Sequence, residues 1–425
     1  MPNNFDSNIT RTVADVYVSE FQAARVHTKN VDTQLFKGRF TGGAGSVVDI
    51  KRPLDVNIIR TADGDLTSIP ASDIIAGKAS ATVQNMLTTR VDFKVADQAL
   101  RMGGEAGLRK LLGPMARRIA IEMELDFSSF MFRNSALFCG THGTAITTWD
   151  HVARAGALMR AAGVPEDEKW FMSCGPYTQT KLASQQRSMA GNDKLIADAH
   201  NKALIMENFA GMDVLVSTTL PTHTIGAGAT RVGTLSANPD VTYLTCKDTM
   251  TQTFAVAGLS ANTQLKAGDV MRITGRNRLN LMTHRPILDE NGAAVVYTGT
   301  VAQDVTLSGT GTGNVVVTGP AIFEATGSYN SVSSAPISGD VVTFFGAAGT
   351  THQPNLFWHK NAFSMVSIPI PKTFVTDTTA ITDDGLEFRV SKYGNGDANR
   401  QTIRLDFWPA YAALDPFKAG QAYGG

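Results

Sequence analysis

Long apolar runs are missing from this 425-residue chain; none approaches the roughly 18 residues needed to span a bilayer. The opening residues, Met1-Pro2-Asn3-Asn4-Phe5-Asp6, lack a basic region followed by an apolar core, so the chain is expected to be made in a cytoplasm, with no membrane partner. Cysteine is scarce. Cys139, Cys174 and Cys246 are odd in number and widely spaced, which fits neither a disulfide framework nor a paired C-x-x-C zinc site and suits a reducing compartment. Charge of one sign is not in excess either: 38 Lys plus Arg face 38 Asp plus Glu. No mean field is therefore available to hold nucleic acid or an anionic membrane without sequence preference, and a DNA-binding enzyme is disfavoured.

What remains is a chain rich in Gly, Thr, Ala and Asn, 43% hydrophobic and long enough for two or three structural units. Its beginning places Ile9, Val13, Val16, Tyr17, Phe21 and Ala24 at helical spacing, an amphipathic arm whose apolar face needs another surface to cover it. From Lys37 to Val95 the character turns extended. Gly42, Gly43 and Gly45 introduce Val47-Val48-Asp49-Ile50, and a second run, Ala81 to Val95, alternates Val83, Met86, Val91, Phe93 and Val95 with polar residues. Turn chemistry lies between them, Thr61-Ala62-Asp63-Gly64-Asp65 and then Pro70. The simplest geometry is a long two-stranded flap, which is marginal alone and must rest on something else.

Pro114 suits the first turn of a helix, and Met115, Ile119, Met123, Phe127 and Phe130 recur at three- and four-residue steps to about Arg133, a domain spine. Asp150 stands where an N-cap would before a helix over Val152 to Ala162; Lys169 to Ser173 reads as a buried strand; Pro176 opens a helix running towards Met189. Near Pro221 helical periods almost vanish, and through Gly346 short Val/Thr/Ile/Phe runs are cut by Gly, Asn, Asp and Pro. This all-β unit is followed by strands at Phe363 to Ile370 and Thr402 to Phe407, so it reads as an insertion into an α+β host.

No motif carries catalytic chemistry. Gly77-Lys78-Ala79-Ser80 glances at a phosphate loop, but Ser72 and Ala79 stand where glycine and Ser/Thr are required. Tyr177 replaces the resolving thiol after Cys174. Cys139 and His142 share a loop without a third orienting group. The eight histidines form no closely spaced pair on one helix face, so a metal site would have to be assembled from distant segments. Asp289-Glu290-Asn291-Gly292 and Asp383-Asp384-Gly385 read as hairpin turns and not as calcium loops. No catalytic, cofactor-binding or metal-binding residue is assigned.

The order of arm, flap, spine, mixed domain, β-insert and returning strands resembles the major coat proteins of tailed double-stranded DNA phages, in the short-tailed branch whose coat carries an inserted β-barrel. Asn355-Leu356-Phe357-Trp358 followed by Ser367-Ile368-Pro369-Ile370-Pro371 is similar to that branch's return into the host domain. Gly211-Met212-Asp213-Val214-Leu215 with Leu220-Pro221 is similar to its exit, and Leu265-Lys266-Ala267-Gly268-Asp269 before Met271-Arg272-Ile273 to a segment of its insert. The resemblance implies a Hong Kong phage type capsid fold divided as arm 1–36, flap 37–98, peripheral and axial domains 99–222 and 347–425, and barrel 223–346.

It also implies a structural subunit and not an enzyme. Hexamers and pentamers of it would form an icosahedral precursor with scaffolding and portal proteins in the host cytoplasm, then expand to enclose double-stranded DNA. Subunit-interface candidates are Val13, Tyr17 and Phe21 on the arm, Arg52, Asp63, Asp65 and Lys78 on the flap, Arg109 at the spine, and Asp240, Lys247 and Asp248 in the insert. The family's insert carries a charged loop for a two-fold neighbour, and the matching region, Ser236 to Met250, holds only those last three charges. Lys78 could be a flap lysine of the cross-linking kind, but no residue identifies its partner and no cross-link is predicted. The alternatives are a virion protein that reads host surfaces or carbohydrate through exposed aromatics of the insert, and the shell of a cellular nanocompartment. The aromatics available to the first are Tyr243, Phe254, Tyr297, Phe323, Tyr329, Phe344 and Phe345.

Overall fold

A 29-residue helix, Glu105–Arg133, is the longest element described, about 44 Å at 1.5 Å per residue. It begins well before Pro114, which lies inside it, although the sequence suggested a start there. A proline in a helix interior removes one hydrogen bond and costs about 3 kcal/mol. Here its ring faces solvent, while Met115, Ala116, Ile119, Ala120, Met123 and Phe127, which follow it, are buried and anchor the helix after the proline. The computed structural model describes residues 17–40, 45–54, 56, 61, 63–65, 67, 75–94, 105–189, 193–325, 327–373, 377–395 and 397–425. Chain contacts divide into two units interleaved in sequence, Met1–Asp49 with Ser80–Ser128 and Phe363–Ala412, and Ile50–Ala79 with Ser129–Ala362 and Ala413–Gly425.

In the first unit a helix over 17–24 packs its apolar face inside the chain. Tyr17 and Phe21 are buried; the Phe21 ring lies 4.9 Å from that of Phe388 and 5.3 Å from that of Phe407, and the Tyr17 hydroxyl donates to Met115 Sδ at 3.5 Å. The covering surface anticipated for the arm is thus the subunit's own sheet. That sheet orders Thr378–Ile381, Glu387–Asn395, Arg400–Phe407 and Leu87–Lys94, all antiparallel, with Arg400 opposite Lys94 and Phe407 opposite Leu87. A second sheet orders Val47–Lys51, Lys78–Val83, Pro409–Ala413 and Phe363–Ser367. The run read as one strand, Ala81 to Val95, is therefore two strands in different sheets. The break falls at Gln84, whose N–H donates to Pro409 O and whose carbonyl accepts from Trp408 Nε1, both at 2.9 Å.

The chain after the arm helix is tied to the spine through a buried carboxylate. Glu124 accepts from the backbone N–H groups of His27 (2.7 Å) and Thr28 (3.0 Å), meets His27 Nδ1 at 2.9 Å and accepts from the Thr28 hydroxyl. Burial alone would raise its pKa; the bonds to His27 and Thr28 outweigh that and leave it below the ordinary carboxylate value.

The second unit is built on a six-stranded mixed sheet in the order Leu137–Cys139, Ala419–Ala422, Asn355–His359, Trp170–Cys174, Met212–Val216, Asn208–Phe209. Its middle strands are wholly buried and mostly apolar, as expected of strands covered on both faces. The helix Trp149–Ala162 packs on it with Val152, Ala155, Met159 and Ala162 buried. Thr148 is its N-cap, two residues before the position suggested, so Asp150 falls in the first turn, where its charge favours the helix dipole. Gly163 closes the helix in the left-handed conformation.

Between Met212–Val216 and Asn355–His359 the chain leaves to form a closed barrel of Thr251–Ala257, Gly313–Thr318, Val296–Val301, Val270–Asn277, Val341–Phe344 and Val232–Leu235. Phe254, Val256, Met271, Ile273, Tyr297, Val315, Val317 and Phe344 fill it. The α+β class with an inserted all-β barrel stands. His223–Thr224 and Thr351–His352, an antiparallel pair, form the stem through which the chain enters and leaves. Both acidic turns are hairpin turns: Asp289 Oδ1 accepts from the N–H groups of Asn291 and Ala293, and Asp383–Gly385 joins two antiparallel strands.

Candidate subunit-contact site

Five of the eleven interface candidates converge where residues 50–54 and 75–79 meet the barrel insert. Arg52 N–H donates to Gly77 O at 2.8 Å. The Arg52 guanidinium, almost fully buried, then donates to the carbonyls of Lys78 (3.2 Å), Asp248 (3.4 Å) and Leu414. A planar fork with donors on both edges suits three carbonyls; an ammonium does not. Burial lowers the Arg52 pKa, with the charges of Asp415 and Asp248 opposing that effect.

Asp248 completes the clasp. Its Oδ1 accepts from Lys78 N–H at 3.1 Å and its Oδ2 pairs with Lys247 Nζ at 2.9 Å; the bond from Lys247 leads in holding its pKa below the ordinary value. Both residues follow the short helix Tyr243–Cys246, and Asp240 organises the approach to it by accepting from the Thr242 N–H and hydroxyl. Tyr243 stacks on Tyr329 with centroids 3.7 Å apart and planes 7° from parallel, and the Tyr329 hydroxyl reaches Ile75 O at 3.5 Å. Gly77 is required here, because a β-carbon on it would lie 2.5 Å from Lys247 O.

The remaining candidates are elsewhere. Asp63 and Asp65 are exposed in two successive turns, Asp63 Oδ1 accepting from Asp65 N–H at 3.1 Å and Asp65 Oδ1 from Thr67 N–H at 2.9 Å. Tyr17 and Phe21 are in the core of the first unit. Arg109 lies in the spine helix, and Val13 lies outside the described residues.

Sequence reasoning missed the residues that seat the barrel on its host sheet. Arg278, 3% exposed, donates to Ala136 O and Thr298 O and lies over the rings of Tyr297 and Phe417; burial lowers its pKa to about 10. Asn280 Nδ2 donates to Ala161 O at 2.8 Å, and Gln421 Nε2 to Gly268 O at 3.1 Å. Beside them, three histidines 81 and 129 residues apart in sequence come together, His142, His223 and His352. None of these positions belongs to a local pattern, since each acts across more than a hundred residues or through a backbone carbonyl.

Burial pushes the Cys139 thiol up to about 11 and the His142 imidazole down to about 4, so neither is poised as a thiolate or its base at neutral pH. Cys174 is buried and pushed up to about 12. Among the described residues no His, Cys, Asp and Glu group is arranged to hold a metal ion, and no helix is long and apolar enough to cross a membrane.

A long helix, a clasp at Arg52 and a barrel mounted through a two-stranded stem are the parts on which the comparison with known proteins bears. The chain belongs to the P22 coat protein family: the family model described as "P22 coat protein - gene protein 5" matches residues 1–425. A major capsid protein of Acyrthosiphon pisum secondary endosymbiont phage 1 is 32% identical over 429 residues, covering all of both chains. Similar solved structures include Mycobacterium phage Che8, 11% identical with TM-score 0.47, covering 93% of this chain and 90% of that one. A capsid structure of the cyanophage P-SCSP1u is 12% identical with TM-score 0.44, covering 90% and 84%. This chain is a phage major capsid protein that forms the virion shell, a structural role and not a catalytic one.

Proposed function

We propose that copies of this subunit assemble as hexamers and pentamers into an icosahedral precursor, in the host cytoplasm and around a scaffolding protein, with a portal protein as a further partner. The precursor then expands as double-stranded DNA enters. The observation that carries this reading is the family match along residues 1–425, at the level of a whole subunit and not of one shared domain. The balance of 38 basic and 38 acidic residues supports a lining that does not grip the genome. Residues 1–36, 37–98, 99–222 with 347–425, and 223–346 act in this reading as arm, flap, host domains and insert. The exposed turn at Asp63 and Asp65 is the part of the flap offered to a neighbouring subunit.

The reading of the insert as a host-surface binding module has lost its support. Phe254, Tyr297, Phe344 and Tyr243 are buried in the insert, and Phe323, Tyr329 and Phe345 are half-buried. To test the assembly reading, the chain is expressed alone and with a candidate scaffolding protein, then followed by sedimentation and negative-stain imaging. Closed shells or capsomer-sized oligomers are the expected result; a stable monomer under both conditions would overturn it.

A further inference from the structure

The stem of the barrel carries a chemistry that the clasp and the shell do not use. His223 and His352 face each other across the antiparallel stem strands, with ring centroids 5.4 Å apart. His142, from the loop after the edge strand Leu137–Cys139 of the host sheet, packs edge-on against His352 at 4.3 Å. Tyr423 meets His142 at 4.9 Å and His352 at 5.4 Å, and Phe138 stacks on Phe345 at 5.0 Å. A β-carbon on Gly346 would touch His142 Cε1 at 3.0 Å, so the end of the barrel chain rests on that ring.

The charge around the cluster is already allotted. Asp269, fully buried, meets His223 Nε2 at 2.6 Å, pairs with Arg231 and accepts from Lys266 N–H at 3.1 Å. Among the described residues neither His142 Nε2 nor His352 Nε2 has a hydrogen-bond partner, though both atoms are shut off from solvent. The charged and titratable groups facing the pair are Asp269, Arg231, His223 and Tyr423.

We propose that His142, His223 and His352 form a proton-sensitive latch that seats the barrel stem against the host sheet and loosens it in acid. A proton on His142 sets a positive charge near His223 and Arg231, one on His352 sets it against His142 and His223, and the single carboxylate is already paired. Burial moves both His142 and His352 from 6.5 to about 4 when seated, and the charge of Asp269 opposes it only in part. A loosened stem regains the ordinary value, so it binds protons first. The seated state is at full strength above pH 6.5 and weakens as the pH falls towards 4.

The stem supplies its own reporters, because Ile225 N–H donates to Thr350 O at 2.9 Å and Gly349 N–H to Ile225 O at 3.0 Å. Hydrogen exchange of the full-length unassembled subunit, corrected for the intrinsic pH dependence, reads both amides. Their protection should fall by roughly tenfold per pH unit for each proton taken up across this window, while that of the barrel strand Thr251–Ala257 holds. The double variant His142→Phe, His352→Phe keeps ring packing and should make the stem's protection flat with pH. Flat protection in the unaltered subunit, or the same fall in the double variant, would overturn the latch. Should that variant not fold, histidine-selective NMR of the unaltered subunit decides instead: two imidazoles titrating well below 6.5 support the latch, and none doing so sinks it.

Discussion

The ring of Phe132, in the last turn of the spine helix, occupies the space that a β-carbon on Gly268 would fill, 1.9 Å from such an atom. Gly268 sits at φ +106° in the turn that leads into the barrel strand Val270–Asn277, so both its backbone and its missing side chain are needed. Gly268→Ala should lower unfolding stability by about 3 kcal/mol or more. Phe132→Ala should cost about 3–5 kcal/mol by leaving a cavity. The double variant should fall short of the sum, since removing the ring also removes the clash. Urea unfolding of the three variants gives the coupling.

The Arg52 clasp predicts that Arg52→Ala leaves the carbonyls of Lys78, Asp248 and Leu414 without that donor, at a cost of about 2–3 kcal/mol. Arg52→Lys should recover less than half, because an ammonium cannot span the carbonyls of Lys78, Asp248 and Leu414. Urea midpoints check stability. Sedimentation of assembly mixtures should show fewer closed shells at equal subunit concentration.

Glu124 makes the first unit acid-sensitive. Its folded-state pKa lies below the ordinary value, so its contribution is present above that value and is lost as the pH falls through the folded one. Glu124→Gln should remove about 2 kcal/mol at neutral pH and flatten the acid limb of stability. Unfolding midpoints measured across the acidic range for both proteins show whether the two curves converge at the bottom, as expected.

Asp406 is fully buried between two arginines, accepting from Arg389 Nη2 at 2.6 Å and Arg404 Nε at 2.7 Å, and from Thr88 Oγ1 at 2.8 Å. Asp406→Ala strands the Arg389 charge in the interior and should cost about 3–5 kcal/mol, whereas Arg389→Met with Asp406→Leu should restore most of that. Thermal unfolding distinguishes the two.

The fold was legible wherever periodicity reports burial. The spine's Met115, Ile119, Met123 and Phe127 and the continuous apolar strand at Trp170 to Cys174 announce covered surfaces by local spacing alone. Element ends were less legible, because the helix runs on through Pro114 and the cap before Trp149 is set by backbone and not by a side-chain bond. Of the candidate site, Arg52, Lys78, Asp240, Lys247 and Asp248 were each visible as charges, but not their gathering into one clasp. That gathering runs through carbonyl acceptors, which every residue carries and which leave no mark on composition. The histidine cluster was hidden for a related reason: His142, His223 and His352 meet only because the sheet's edge loop and the two stem strands are brought together by the barrel's closure.

Because His223 and His352 pair directly, the two ends of the barrel's chain lie about one strand spacing apart, near 5 Å. To the host sheet, the whole barrel is a loop whose closure is already accomplished by its own fold, and lengthening such a loop adds only logarithmically to its entropic cost. Changes of length inside the barrel, away from the residues that touch the host sheet, therefore leave the spacing of those two histidines unaltered.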